Sequence, residues 1–309
     1  MEIRTILIPL AGSDDIGPVV ELGLTMAKDW AAHVDVLHIL SDPKDTIPLL
    51  GEGMSVSMIE DMIDAAEKEG GDRAARGQQV FDDLCRRFSI TVGGKPGEAG
   101  ASASWNQEVG RDDEVTVRRG RLADLIVVGR PTETSDVSST LTLNAALFDT
   151  GRPVLVAPPS ERGDFGKHIA ISWNGGAQAA RAVGSAMGMI KRAEKVTVLT
   201  AESDRTSAAR APELAAYLEW HGIAPDTRTF SVEGRQPGGA DLLAECTRTG
   251  ADLLVMGAYT HSRMRQLILG GVTRHVLEKA EIPLFMAHCA GRFMGRIGRS
   301  GRPPWGKLR

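Results

Sequence analysis

Long apolar runs are absent from this 309-residue sequence: none exceeds about seven residues, against the roughly 20 that a membrane-spanning helix needs. The N-terminus, Met1-Glu2-Ile3-Arg4, leads into a strand-like run instead of a signal peptide, so a cytoplasmic protein is expected. Cysteine is scarce. Cys85, Cys246 and Cys289 have neither CxxC nor CxxH spacing, which argues against a disulfide framework and a zinc site and leaves three reduced thiols. The seven histidines form no HExxH or paired ligand spacing, so metal catalysis has no support, and His33, His38, His168, His221 and His288 read as ordinary half-buried or surface residues. No GxSxG elbow and no Walker A sequence occurs, so a hydrolase would lack its nucleophile and a P-loop its phosphate lysine. Gly12-Ser13-Asp14-Asp15 is a faint version of the Gly-rich loop of adenylating α/β enzymes, without the doubled glycine.

What is present is ordinary globular composition, 42% hydrophobic and 25% charged, in a chain long enough for two domains of common size. The net charge of −4 hides an asymmetry. Residues 291–309 carry six Lys/Arg and no acid, which leaves −10 on the preceding body and argues against that body being a dedicated nucleic-acid binder.

The chain is written twice, as a domain-sized repeat. Arg4-Thr5-Ile6-Leu7-Ile8-Pro9-Leu10-Ala11-Gly12 parallels Lys167-His168-Ile169-Ala170-Ile171-Ser172-Trp173-Asn174-Gly175: a basic residue, a short β-rich apolar run, then a small-residue turn. Ala123-Asp124-Leu125-Ile126-Val127-Val128-Gly129 matches Ala251-Asp252-Leu253-Leu254-Val255-Met256-Gly257, and Pro153-Val154-Leu155-Val156-Ala157 matches Pro283-Leu284-Phe285-Met286-Ala287. The first pair is offset by 163 residues (Arg4 to Lys167), the others by 128 (Ala123 to Ala251) and 130 (Pro153 to Pro283). The first copy therefore holds roughly 35 extra residues, and the stretch Asp42 to Arg87 supplies them. Met54, Met58, Ile59, Met62 and Ile63 stand at helical spacing, Gly70-Gly71 reads as a break, and Val80, Leu84 and Cys85 begin a second helical pattern. A surface helical pair is expected, with a lid or partner-binding arm as the alternative.

In the second copy the residues alternate strand and helix: strands at Ile169–Trp173, Lys195–Ala201, Thr227–Val232, Asp252–Gly257 and Pro283–Ala287, and helices at Ala177–Lys191, Ala211–His221, Gly238–Thr249 and Met264–Lys279. Strands apolar at consecutive positions are covered on both faces, and alternating βα units with such strands predict an α/β fold of two doubly wound parallel five-stranded sheets, Rossmann-like, one per copy. Pro158 to Asp164 has the Pro/Gly/charge character of a boundary, giving domains at 1–158 and 166–290 and a basic tail at 291–309. The tail reads as a flexible extension, as a segment folding back on the acidic body, or as a weak site for nucleic acid or anionic lipid.

Ligands of open α/β sheets sit outside the carboxyl ends of the strands at the topological switch point, which directs attention to two turns. The first is Trp173-Asn174-Gly175-Gly176. The second runs Gly257-Ala258-Tyr259-Thr260-His261-Ser262-Arg263 and, after Met264 to Leu269, Gly270-Gly271-Val272-Thr273-Arg274-His275-Val276-Leu277. This segment resembles the nucleotide loop of universal stress proteins: Gly, two residues, Gly, nine residues, Gly, then Ser or Thr. The resemblance covers nearly the whole chain, twice, and the Gly-Gly-Val-Thr-Arg-His-Val-Leu run is characteristic of one bacterial subgroup. It implies an adenine nucleotide alpha hydrolase-like fold, two copies packed as an intramolecular pseudo-dimer with Pro153–Ala157 and Pro283–Ala287 edge to edge, and a non-enzymatic role in stress response. A further homodimer is compatible with it.

By that resemblance Gly257 and Gly270 fall on the first and third glycines, Thr260 stands at the second, and Gly271 stands where the Ser/Thr belongs. Thr273 reaches that role only if the loop shifts by two residues. Asn174 occupies the place of an Asp that contacts adenine or ribose, keeping hydrogen-bonding capacity but losing the ionised acceptor. The nucleotide-binding set is then Asn174, Gly257, Thr260, His261, Arg263, Gly270, Gly271, Val272 and Thr273, with ATP and Mg²⁺ as the implied ligand. Main-chain N–H groups of Gly270-Gly271-Val272, opening toward a helix N-terminus, would cradle phosphates, with Arg263 or His261 adding charge. A competing reading gives Gly270-Gly271 only a packing role. In the first copy the equivalent loop after Gly129 has Pro131, two acids and no far glycine, and Ala11 stands at the Asp position, so this half is expected to hold no nucleotide. Two alternatives to nucleotide binding stay open: a slow ATPase or adenylating enzyme, and a ligand-free interaction module.

Overall fold

The computed structural model describes residues 2–11, 15–40, 55–95, 98–131, 137–160, 163–202, 210–231, 238–258 and 271–288, with the side chains of Val56, Val137 and Arg210 excepted. The first half runs β1 (Thr5–Leu10), α1 (Gly17–Trp30), β2 (His33–Leu40), α2 (Val56–Phe88), β3 (Thr91–Val92), β4 (Ser102–Val109), α3 (Asp112–Gly120), β5 (Leu125–Gly129), α4 (Val137–Asp149) and β6 (Val154–Ala157). The second runs β7 (His168–Ser172), α5 (Ala177–Ile190), β8 (Lys195–Ala201), α6 (Arg210–Glu219), β9 (Asp226–Phe230), α7 (Gly239–Thr249), β10 (Leu253–Gly257), α8 (Gly271–Lys279) and β11 (Leu284–Ala287).

The strand order is β3-β4-β2-β1-β5-β6-β11-β10-β7-β8-β9. Setting aside the two-residue β3, each half repeats one topology: the first strand lies between the second and the fourth, and the fifth closes the unit. Both halves are parallel throughout. They meet where β6 and β11 pair antiparallel, Leu284 with Val156, Phe285 with Leu155 and Met286 with Val154. The closing strands thus pair as expected, and their main-chain bonds join the two doubly wound units into one sheet of eleven strands.

The Ala-Asp-Leu repeat has a structural cause. One Asp124 carboxylate oxygen accepts from the Arg4 and Thr5 N–H groups at 2.9 and 3.0 Å, where β1 begins. Asp252 does the same for β7, accepting from Gly166, Lys167 and His168 N–H at 2.7, 3.1 and 3.1 Å. Each carboxylate ties the start of its half's opening strand to the start of its fourth, satisfying main-chain donors where the opening strand begins.

Helices cover both faces, and the core of each face runs through the seam. Ile6, Ile8, Val20, Leu24, Phe81, Ile169, Val183, Leu214 and Phe285 belong to one cluster under α1, α2, α5 and α6. Leu7, Val128, Leu147, Leu242, Leu254, Val276 and Met286 belong to the other, under α3, α4, α7 and α8. The Arg192 guanidinium, after α5, stacks 3.8 Å from the Trp30 ring centroid and donates to the Asp29 carbonyl at 2.7 Å, joining the halves across the first face.

The expected helical pair within 42–87 is corrected: α2 is one helix of 33 residues and passes through Gly70-Gly71. Two interior glycines cost about 1 kcal/mol each relative to alanine. The burial of Ala74, Phe81, Leu84 and Cys85 anchors the C-terminal half firmly enough to offset that. At the other end Ser55 caps the helix, accepting from the Met58 N–H at 3.3 Å. Met54 lies outside the described residues. Burial pushes the Cys85 and Cys246 thiols up to about 11 and about 12, as suits inert free cysteines.

Candidate functional site

The switch point of the second half lies between β7 and β10, because β7 continues through α5 to β8 on one side while β10 flanks it on the other. Just past the carboxyl end of β7, the Asn174 Oδ1 accepts from the Gly176 N–H at 2.9 Å, closing a tight local turn. That turn needs Gly175 in the left-handed region, φ +69°, which is why a glycine follows the asparagine. Gly176 then opens α5.

Gly257 ends β10 beside this turn, and its reason for being glycine is physical. A Cβ there would lie 2.5 Å from the Ala179 nitrogen and 2.7 Å from the Gln178 carbonyl carbon. The first turn of α5 therefore rests on the end of β10 with no room for a methyl group. Gly271 is the opposite case. It begins α8, is exposed, and a Cβ there would meet nothing within 4 Å among the described residues. Among the described residues, packing accounts for the glycine at 257 and not for the one at 271. Val272 is exposed as well, whereas Thr273 is buried.

Of the sequence-predicted set, Asn174 and Gly257 lie together at the carboxyl edge of β7 and β10, and Gly271, Val272 and Thr273 form the first turn of α8. Thr260, His261, Arg263 and Gly270 lie outside the described residues. In the first half the turn residue Ala11 accepts from the Ser139 hydroxyl at 3.3 Å. Pro131 is half-buried, and the loop from Thr132 to Asp136 lies outside the described residues.

Two buried polar atoms near the carboxyl ends of β7 and β8 escape sequence reading. Among the described residues, the Trp173 indole N–H and the fully buried Thr200 hydroxyl have no hydrogen-bond partner. They sit at the carboxyl ends of neighbouring strands, since Ser172 pairs with Leu199 and the Trp173 main-chain N–H donates to the Leu199 carbonyl at 2.9 Å. The repeat held the clue. Pro9 pairs with Leu37 as Ser172 pairs with Leu199, so His38 occupies in the first half the place of Thr200 in the second. His38 is also buried with its Nδ1 unpartnered, stacked 5.8 Å from Trp105, and burial and the Arg73 charge hold its imidazole below the usual range.

His288 follows the end of β11. Its Nδ1–H donates to the Ala258 carbonyl at 2.9 Å, and the ring meets Phe148 of the first half edge-on at 4.9 Å. It is a positioning residue for the chain leaving β10, in keeping with its expected ordinary, half-buried character. Among the described residues no group of three His, Cys, Asp or Glu is placed to hold a metal ion, and no helix is long and apolar enough to cross a membrane.

Comparison with known proteins agrees with this architecture. A universal stress protein from Archaeoglobus fulgidus DSM 4304 shares the fold over 93% of this chain and 99% of its own, at 15% identity and a TM-score of 0.63. A functionally unknown protein from Pseudomonas aeruginosa PAO1 does so over 93% of each chain, at 14% identity and a TM-score of 0.59. No curated protein matches the sequence. The sequence model of the universal stress protein family matches residues 167–288, so the second half of this chain carries a domain of that family inside a fold that, over nearly its whole length, is similar to that of a solved universal stress protein.

Proposed function

We propose that the chain is a tandem universal stress protein, with domains at 1–158 and 166–290 and a basic tail at 291–309, that binds an adenine nucleotide in its second half and does not turn it over. ATP with Mg²⁺ is the proposed ligand, and the cytoplasm the proposed compartment. The observation that carries the reading is Gly271: at the exposed start of a helix, a glycine for which the described residues supply neither a packing contact nor a left-handed backbone as the reason. Bare main chain at a helix N-terminus suits phosphate oxygens, and Asn174 on the neighbouring turn suits the base or sugar. The Trp173 indole N–H and the Thr200 hydroxyl, both buried and without a partner among the described residues, lie near the carboxyl ends of the same strands.

Thermal unfolding and calorimetry of the full chain with Mg²⁺-ATP test the reading. Occupancy at 100 times Kd stabilises the native state by about 2.7 kcal/mol, and Gly271→Val removes that gain. Mass spectrometry of small molecules released from gently purified protein checks for retained nucleotide. No released nucleotide together with no calorimetric response would sink the proposal and favour an interaction module. Steady hydrolysis abolished by the same valine would favour an enzyme.

A further inference from the structure

His38 is 5% exposed and shares the first face of the sheet with Val34 and Val36 of the same strand. Its ring stacks on the Trp105 indole of β4 at 5.8 Å, 24° from parallel, and Phe81 of α2 meets the same indole at 5.7 Å. One turn before Phe81, α2 has no space to spare: a Cβ at Gly77 would lie 2.9 Å from the Trp105 ring. Arg73 stands one turn earlier again, so Arg73, Gly77 and Phe81 form one face of α2, laid against the His38–Trp105 pair. A contact too tight for a methyl group leaves no room for a ligand between helix and indole. What this arrangement can take up is a proton.

Only the neutral imidazole suits this place. Among the described residues neither His38 Nδ1 nor the Trp105 indole N–H has a hydrogen-bond partner, so a second ring proton would meet no acceptor. The surrounding groups also oppose a cation. From α2 comes Arg73, 3.8 Å from the Glu69 carboxylate; from β4, opposite His38, the neutral Gln107; from β1, Leu10. The acids of β2 and β4, Asp35 and Glu108, are held on the second face by Arg119 of α3. The indole face offers a cation less than burial beside Arg73 takes away, and the imidazole is held below its usual range, by burial first and the Arg73 charge second.

We propose that His38 is an acid-operated latch for α2: protonation of its imidazole undocks the turns from Arg73 to Gly77 and frees the helix N-terminal to them, while Phe81, Leu84 and Cys85 hold the remainder in place. The helix is built for such a partial release. Ahead of Arg73 it carries the exposed Met58 and Met62 and passes through Gly70-Gly71, and Ala74 is the first of its described residues to be buried. Neutral His38 favours the docked helix fully above about pH 6.5, and that contribution declines as the pH falls from there through the docked-state value. The latch lies in the first half and is independent of the nucleotide reading.

Hydrogen exchange of the full chain at about pH 7.0 and 5.5, corrected for the intrinsic pH dependence of amide exchange, tests the latch. Protection across 66–77 is expected to fall about fivefold between the two, as release linked to one proton requires, and to lie below that of β5 and β10 at both. His38→Phe keeps a ring against Trp105 with no proton to take up, so its protection across 66–77 should be the same at the two pH values. Arg73→Gln removes the opposing charge at a half-exposed site and should leave a fall of no more than about threefold; it carries the test if the phenylalanine variant does not fold. Unchanged protection in the wild type overturns the proposal, and so does an undiminished fall in either folded variant. Exchange across 66–77 no faster than in β5 and β10 at pH 5.5 also overturns it, because the whole domain would then be opening at once.

Discussion

Adding one methyl group at Gly257 and another at Gly271 should move stability in opposite directions, although both glycines belong to one loop motif. At Gly257 the new Cβ would meet the Ala179 nitrogen at 2.5 Å and the Gln178 carbonyl carbon at 2.7 Å. Those are main-chain atoms, so no rotamer change relieves the clash and the start of α5 must move. Overpacking of this kind costs typically 1–3 kcal/mol, and backbone contact places Gly257→Ala in the upper part of that range, at about 2–3 kcal/mol. With roughly 2–4 °C per kcal/mol for a domain of this size, the midpoint should fall by about 4–12 °C. At Gly271 the Cβ meets nothing among the described residues, and the residue is helical, so alanine stiffens the unfolded chain and favours the helix by up to about 1 kcal/mol. Differential scanning calorimetry of the two variants side by side measures both shifts. A Gly257→Ala protein as stable as the wild type would refute the close-packing argument. A Gly271→Ala protein destabilised by more than about 1 kcal/mol would show that position to be packed, removing the basis for placing phosphate there.

Other consequences are as direct. Gly71, inside α2, has open space around it, so Gly71→Ala should stabilise by about 1 kcal/mol in chemical denaturation. Asp252→Ala strips the acceptor from three main-chain donors and should cost about 2–4 kcal/mol, whereas Asp252→Asn keeps one oxygen and should cost less; urea titration separates the two. Burial, with Arg73 nearby, holds His38 below its ordinary pKa, and burial, with Lys195 nearby, does the same to His168. Their neutral forms therefore favour folding fully above about pH 6.5, and that contribution declines as the pH falls from there through the folded-state values. Midpoints measured from pH 7.5 down should fall, and His38→Phe should flatten part of the decline.

The repeat made most of the fold legible. The strand Lys195–Ala201 was delimited to the residue, and the other second-half strands within one or two, because continuous apolar runs between turn signals mark buried parallel strands. The pairing of the closing strands followed from the resemblance. Gly70-Gly71 misled, since propensity is a weak prior and the packing of residues 74–85 carries the helix through it. The site was legible where backbone geometry sets the residue type: Asn174 before a left-handed Gly175, and glycine at 257. The Trp173 and Thr200 donors were not, because strand residues of mixed character give no period that separates a satisfied polar group from an unsatisfied one. Likewise Asp124 and Asp252 stood out as a repeat, while their hold on the opening strands depends on contacts more than 80 residues away in sequence.

The junction between β6 and β11 carries a consequence for how the two copies relate. An antiparallel junction turns the second unit end for end, so the strand tips of the two units emerge on opposite rims of the molecule. A ligand at one rim has no contact with the other and is felt there only through the shared core. Because both copies belong to one polypeptide, this pairing also holds at any dilution, which frees the first copy from having to bind anything in order to keep its neighbour assembled.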